Sequence, residues 1–369
     1  MNQLKELTTV IENSYVTSAR AAGQAIVGYA CLSTPREVLD AAAIFPYRLK
    51  ALGRGETEMA DAYLSRFNCG FCRACLQLGL DGSYDFLDGI IETNGCDHLR
   101  GMFENWQYAA PRPFFHYIRV PHLVDEDSLA WFREEIELFI AAVNTHFGSA
   151  VDNEKLLAAI EQQDQIAAAM RQIYTSRWNG EIKVSGHEII SLMVAEGSMP
   201  APDYLELLLT FGQELEKREA LDCRARLFMG GAATDEIKLI EELEQLGGLM
   251  VADSFCFGGR IFLREAQSEE PVSRLAEIYL NNLLCPRMFT SYPKRKAFIL
   301  EMIVKSKADG AVFFHNKFCD LHGIENVKLK MDLEKEGYPV LLLEKEYGAG
   351  ADIGRMKTRV QAFMEQLKR

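Results

Sequence analysis

The sequence predicts an α/β protein: two Rossmann-like domains with parallel sheets, joined to an N-terminal helix and a helical middle segment. Three observations carry this reading. Short apolar runs such as AIVGYACL and DGAVFF are each followed by a turn and a stretch of helical periodicity. That order of strand, turn and helix restarts late in the chain, at CRARLFMGGAATDE, after a long helical stretch. At 369 residues, the chain also exceeds what one ordinary core supports.

Taken in order, residues 1–20, MNQLKELTTVIENSYVTSAR, read as one polar surface helix with no continuous apolar stretch or cleavage site of a signal peptide, which implies a cytoplasmic protein. Residues 21–150 form the first α/β domain. AIVGYACL is a strand feeding STPREVLDAAAIFPYRL, a helix that Ser33 or Thr34 can cap with Pro35 at its first position. A helix through FNCGFCRACLQLGL, a turn at DGSYD and the buried strand FLDGIIET follow, and Cys96 lies just past that strand's end. FFHYIRVPH is a further strand. Helical spacing then dominates from SLAWFREEIELFIAAV onward, with 151–219 as the helical segment. The second α/β domain, 220–369, ends with the strand DGAVFFHNKFCD, whose next loop carries Cys319, then a helix, the strand YPVLLLE and a terminal helix. Cys96 and Cys319 thus occupy equivalent positions. Open α/β sheets hold ligands at the carboxyl ends of their strands, so the site is expected in a cleft where the two edges face each other.

Composition removes whole classes of function. A net charge of −13 without a basic stripe repels phosphate backbones, and nucleic acid is not expected as a partner. No apolar run approaches bilayer length, and no membrane partner is expected. Nine cysteines are an odd number for paired disulfides; in a reducing compartment they point to burial, metal binding or catalysis.

Cys69, Cys72 and Cys75 in NCGFCRACL have the two-residue spacing of a ferredoxin loop. The run is incomplete, because the one Cys-Pro pair, Cys285-Pro286, is far away in sequence. The same spacing equally describes small residues on one face of a helix. A redox dithiol and a zinc site stay open from cysteine type alone, although a proline-bearing CxxC after a strand, a second CxxC and an H-x-x-x-H pair are all missing. MGGAATDE can be a phosphate-cradling turn; without G-x-G-x-x-G or Walker spacing it reads rather as a tight strand-to-helix turn. Asp253, Cys256 and Arg260 follow a strand end, where Arg260 can pair with a carboxylate or phosphate or simply belong to a structural turn. His98 and His315 each lie near a cysteine named above and can act as acid or base near neutral pH.

STPREVLDAAAIFPYRL, ADAYLSRFNCGFCRACLQLGLDGSYDFLDGIIETNGCDHLR and DGAVFFHNKFCD, in that order along nearly the whole chain, resemble the 2-hydroxyacyl-CoA dehydratase and benzoyl-CoA reductase subunit family. The resemblance implies a [4Fe-4S] cluster held by Cys69, Cys96 and Cys319, with one iron open to an exchangeable ligand. It also implies a CoA thioester bound between the domains, and radical (ketyl-type) dehydration as the reaction. Ring reduction of a benzoyl-CoA-like substrate on the same scaffold is the alternative. Ser33, at a helix N-terminus, would donate to the thioester oxygen, and His98 would serve as acid or base. Cys72, Cys75 and Cys256 depart from the family pattern and admit a double-cubane [8Fe-9S] cluster that reduces small molecules. The implied partners are a homologous second subunit, or a second copy of this chain, and an ATP-hydrolysing iron–sulfur activator, whose nucleotide site this sequence does not resemble. Two rivals are an electron-transfer or accessory subunit without its own substrate site, and a scaffold that keeps its cysteines only as packing.

Overall fold

In a computed structural model that describes residues 2–178, 181–348 and 350–367, the apolar runs become eight strands in two all-parallel sheets. β1 (Ile26–Tyr29), β2 (Phe45–Arg48), β3 (Gly89–Thr93) and β4 (Phe114–Ile118) pair in the order β2-β1-β3-β4. β5 (Ala225–Gly231), β6 (Gly248–Asp253), β7 (Gly310–Asn316) and β8 (Val340–Lys345) repeat that order as β6-β5-β7-β8. Every residue of β1, β2, β3 and β6 is buried, as expected for parallel strands covered on both faces by helices. In each sheet the winding reverses beside the first strand, which opens a switch-point crevice at the carboxyl ends of β1 and β3 and of β5 and β7.

Several local expectations are corrected. The N-terminal segment forms two helices, Asn2–Thr9 and Ser14–Ala21, broken where the Asn13 side chain accepts from the amides of Tyr15 and Val16 and donates to the Ser198 carbonyl. Leu7 and Val16 are fully buried, so this segment packs into the molecule. STPREVLDAAAIFPYRL contains only a short helix, Glu37–Ala41, and its tail is β2. Neither Ser33 nor Thr34 caps that helix; Arg36 stands at the N-cap without a side-chain cap bond. Buried pairs fix the start instead, Arg36 with Glu196 and Glu37 with Tyr279 and Arg264. Pro46 is tolerated in β2 because that strand is a sheet edge.

The helical middle comprises Glu126–Phe147, Asn153–Thr175, Gly186–Glu196 and Ala201–Glu216. Asp125, Asp152 and a Ser185–Glu188 capping box cap three of these helices. One apolar core runs between the sheets, joining Ile26, Ile90 and Leu76 to Leu227, Val312 and Phe314. A second packs the middle helices on β5, β6 and β7. A third packs β1 and Glu126–Phe147 against a helix from the far half of the sequence, Pro271–Asn281, through Val272, Leu275 and Ile278.

MGGAATDE is a tight turn. Gly231 has φ +131°, and a Cβ there would lie 2.1 Å from the Phe314 carbonyl oxygen. The turn presents a carboxylate: Asp235 accepts from the amides of Ala51 and Leu52, at 2.7 and 2.8 Å, and from the Tyr347 hydroxyl, which ties the two domains together. Among the described residues, no helix is long and apolar enough to cross a membrane.

Candidate functional site

The loops at the two switch points meet, and seven of the nine cysteines lie there in two neighbouring groups. The first group is Cys69, Cys72, Cys96 and Cys319. Cys69, Cys96 and Cys319 are each the N-cap residue of a helix: Gly70–Leu80, Asp97–Ala109 and Asp320–Lys335. Cys96 follows β3 and Cys319 follows β7, the equivalent strands of the two sheets. Three helix N-termini therefore direct their positive ends toward thiols, which favours thiolate.

Cys72, one turn into its helix, hydrogen-bonds to both Cys69 and Cys96; this holds those two thiols below the ordinary thiol range and pushes its own up. The amides of Phe71 and Cys72 also face Cys69, and the Leu99 amide donates to the Cys96 sulfur at 3.4 Å. Burial raises Cys319. Phe318 adopts φ +66°, a strained backbone for a non-glycine residue; its ring meets Phe67 edge-on at 5.4 Å and joins the Cys319 edge to the Cys69 edge. His98 sits beside Cys69, with Nδ1 2.7 Å from Asn68 Oδ1 and 3.2 Å from the Cys69 amide, and with Nε2 3.6 Å from Asp320 of the other domain. Cys75 is drawn into the core, where burial raises its thiol, close to Tyr47, Tyr84 and Tyr347. His315 Nε2 lies 3.2 Å from the Cys319 carbonyl oxygen.

The second group is Cys31, Cys256 and Cys285. Ser33 is completely buried, and its hydroxyl donates to Cys31 Sγ at 3.1 Å and lies 3.4 Å from Thr93 Oγ1; it stands three residues before Arg36, the N-cap of the helix Glu37–Ala41. Arg260 donates to Cys256 Sγ at 3.0 Å, reaches Cys285, and is fixed by the carbonyls of Phe255 and Leu284. Arg287 is held by the carbonyls of Asn94, Val120 and Pro121, and its charge faces Cys31, Cys285 and Cys96. Burial pushes the Cys285 thiol up. Asp253 is structural; it accepts from the amides of Phe255 and Gly259 and from the Tyr174 hydroxyl.

Sequence reasoning missed Cys31, Cys285, Arg48 and Arg287. Cys31 carries a readable signal, since it directly follows a strand at the edge where ligands gather. The Cys285-Pro286 pair is a second signal, masked by its distance in sequence from the other cysteines.

Among the described residues, no three His, Cys, Asp or Glu side chains converge tightly enough to grip a single metal ion. Soft thiols at three helix N-caps, with backbone amides behind them, suit a larger iron–sulfur cage held at its corners.

Residues 31–367 match the family model described as 2-hydroxyglutaryl-CoA dehydratase, D-component. The (R)-phenyllactyl-CoA dehydratase beta subunit of Clostridium sporogenes is 26% identical over 99% of this chain and 98% of its own length. A benzoyl-CoA reductase subunit of Thauera aromatica is 22% identical over 80% of this chain and 78% of its own. The (R)-2-hydroxyglutaryl-CoA dehydratase beta subunit of Acidaminococcus fermentans is 22% identical over 94% of each.

Proposed function

The chain belongs to the 2-hydroxyglutaryl-CoA dehydratase D-component family, and from that premise we propose that it is the iron–sulfur subunit of an enzyme acting on a CoA thioester. The observation that supports this best is the placement of Cys69, Cys96 and Cys319 at three helix N-caps on facing switch points. These residues would hold a [4Fe-4S] cluster, and the Cys72 thiol would donate to the Cys69 or Cys96 sulfur. When bound, such a cluster supplies single low-potential electrons for radical dehydration of a 2-hydroxyacyl group. The chain's own part is to tie the Cys319 edge to the Cys69 edge through the Phe67–Phe318 contact and to brace the Cys69 turn through His98.

The relatives named above are each one subunit of a larger enzyme, and the partners proposed are a homologous second subunit, or a second copy, and an ATP-hydrolysing activator, all in the cytoplasm. Ring reduction is kept as the alternative reaction, because relatives of both kinds align along most of the chain. Turnover of a 2-hydroxyacyl-CoA or of an aromatic acyl-CoA by the reconstituted complex decides between them.

The primary test is iron and acid-labile sulfide per chain after anaerobic purification. About four irons are expected, lost in each of Cys69→Ser, Cys96→Ser and Cys319→Ser. No iron under any reconstitution refutes the cluster. A second reading, a double-cubane cluster, is favoured by the grouping of Cys31, Cys256 and Cys285 beside Arg260 and Arg287. It requires about eight irons, falling to about four in Cys31→Ser, Cys256→Ser or Cys285→Ser.

A further inference from the structure

We propose that the cavity at the carboxyl end of β1 binds a carboxylate, held by Thr34, Arg36 and Arg48. The cavity is about 80 Å³, enough for a carboxylate group and a carbon or two. It lies beside the Cys256–Arg260 corner, and Ile166, Ala167 and Leu284 complete an apolar side.

Thr34, Arg36 and Arg48 line this space and are only 2, 5 and 2% exposed. Among the described residues, Thr34 Oγ1, Arg36 Nη2, and both Nε and Nη1 of Arg48 have no hydrogen-bond partner. Buried polar groups are seldom left so, because each bears its full desolvation cost. The surrounding charges do not cancel at Arg48. Arg36 is answered by Glu196 and Asp40, and Arg264 by Glu37 and Asp164. Neither Arg48 nor Arg260 has a carboxylate partner among the described residues. Arg48 cannot swing away to find one. Its guanidinium lies 3.7 Å over the Phe257 ring and donates from Nη2 to the Cys256 carbonyl at 2.8 Å. A fixed, buried cation with two idle nitrogens, next to an idle arginine nitrogen and an idle hydroxyl, is complementary to an oxyanion that arrives from outside.

The carboxylate can be the far end of an acyl chain or a free small acid. The first source rests on the CoA-thioester reading; the second does not. The experiment is calorimetric titration of the anaerobically purified full chain with two matched pairs: glutaryl-CoA against valeryl-CoA, and succinate against succinamide. A carboxylate-ended acyl chain makes glutaryl-CoA at least tenfold tighter than valeryl-CoA. A free acid leaves the thioesters equal and gives succinate the advantage over succinamide. In either case Arg48→Gln abolishes the preference and Thr34→Val reduces it severalfold. Thr34→Val is near-isosteric and removes no hydrogen bond present in the fold, so it remains informative if Arg48→Gln fails to fold. No carboxylate preference in either pair, or a preference unchanged by Thr34→Val, overturns the proposal. Failure of the wider reading is distinguishable: a chain that binds no iron and neither thioester, yet prefers succinate with the same Thr34 dependence, loses its assigned function and keeps this site.

Discussion

Replacing Asp235 tests whether one carboxylate holds the two domains in register. It accepts from the Ala51 and Leu52 amides and the Tyr347 hydroxyl, and Asp235, Ala51 and Tyr347 are all buried. Hydrogen bonds to a charged acceptor are worth about 1.5–3 kcal/mol each, and an orphaned buried amide costs about 1–3 kcal/mol. With non-additivity allowed for, Asp235→Ala should lose about 3–6 kcal/mol, comparable with the ~5–15 kcal/mol net stability of a typical domain. The working variant is therefore Asp235→Asn, which keeps one oxygen for the amide pair and loses the charge, at about 1–3 kcal/mol. Guanidinium unfolding is followed for the single variants and for the pair with Tyr347→Phe. Coupling of about 0.5–3 kcal/mol between the two sites is expected of groups in contact. An Asn variant within about 0.5 kcal/mol of the parent, or strictly additive effects, refutes the lock.

Two further outcomes follow from packing and charge. A Cβ at Gly79 would lie 2.4 Å from the ring of buried Trp106, so Gly79→Ala sets about 1–3 kcal/mol of overpacking against about 1 kcal/mol of helix propensity; net destabilisation in denaturant is expected, and a stabilised variant would refute the contact. Burial, reinforced by Glu104, raises the Glu92 carboxyl to about 7. The folded state therefore favours the protonated form, and this group's contribution is present below the ordinary glutamate range of about 4.3 and is lost as pH rises through about 7. Urea midpoints from about pH 5 to 8 should fall less with pH in Glu92→Gln than in the parent, and parallel profiles would count against the shift.

The two parallel sheets were legible because their strands other than β2 are apolar runs set between stretches of helical periodicity. The equivalence of Cys96 and Cys319 followed from the same pattern. β2 was not legible: FPYR contains a proline and two polar-headed residues, and its burial depends on Gly197 and Cys256, far away in sequence. The short helix at Glu37 starts where buried ion pairs place it, which no local capping rule can supply. Cys31 and Cys285 lie 254 positions apart, and only the fold brings them together. Arg48 carries no signal in the sequence, and only its place in β2 buries it.

The helix Pro271–Asn281 has a consequence for how the protein is made. It supplies Val272, Leu275 and Ile278 to the apolar face under β1 and the helix Glu126–Phe147. A ribosome that has delivered the whole first sheet has not yet delivered its cover, so that face waits, sticky and open, through more than a hundred further residues. The N-terminal half therefore lacks part of its apolar cover until this helix has been made. A product truncated before Pro271 would leave that apolar face uncovered and prone to aggregate.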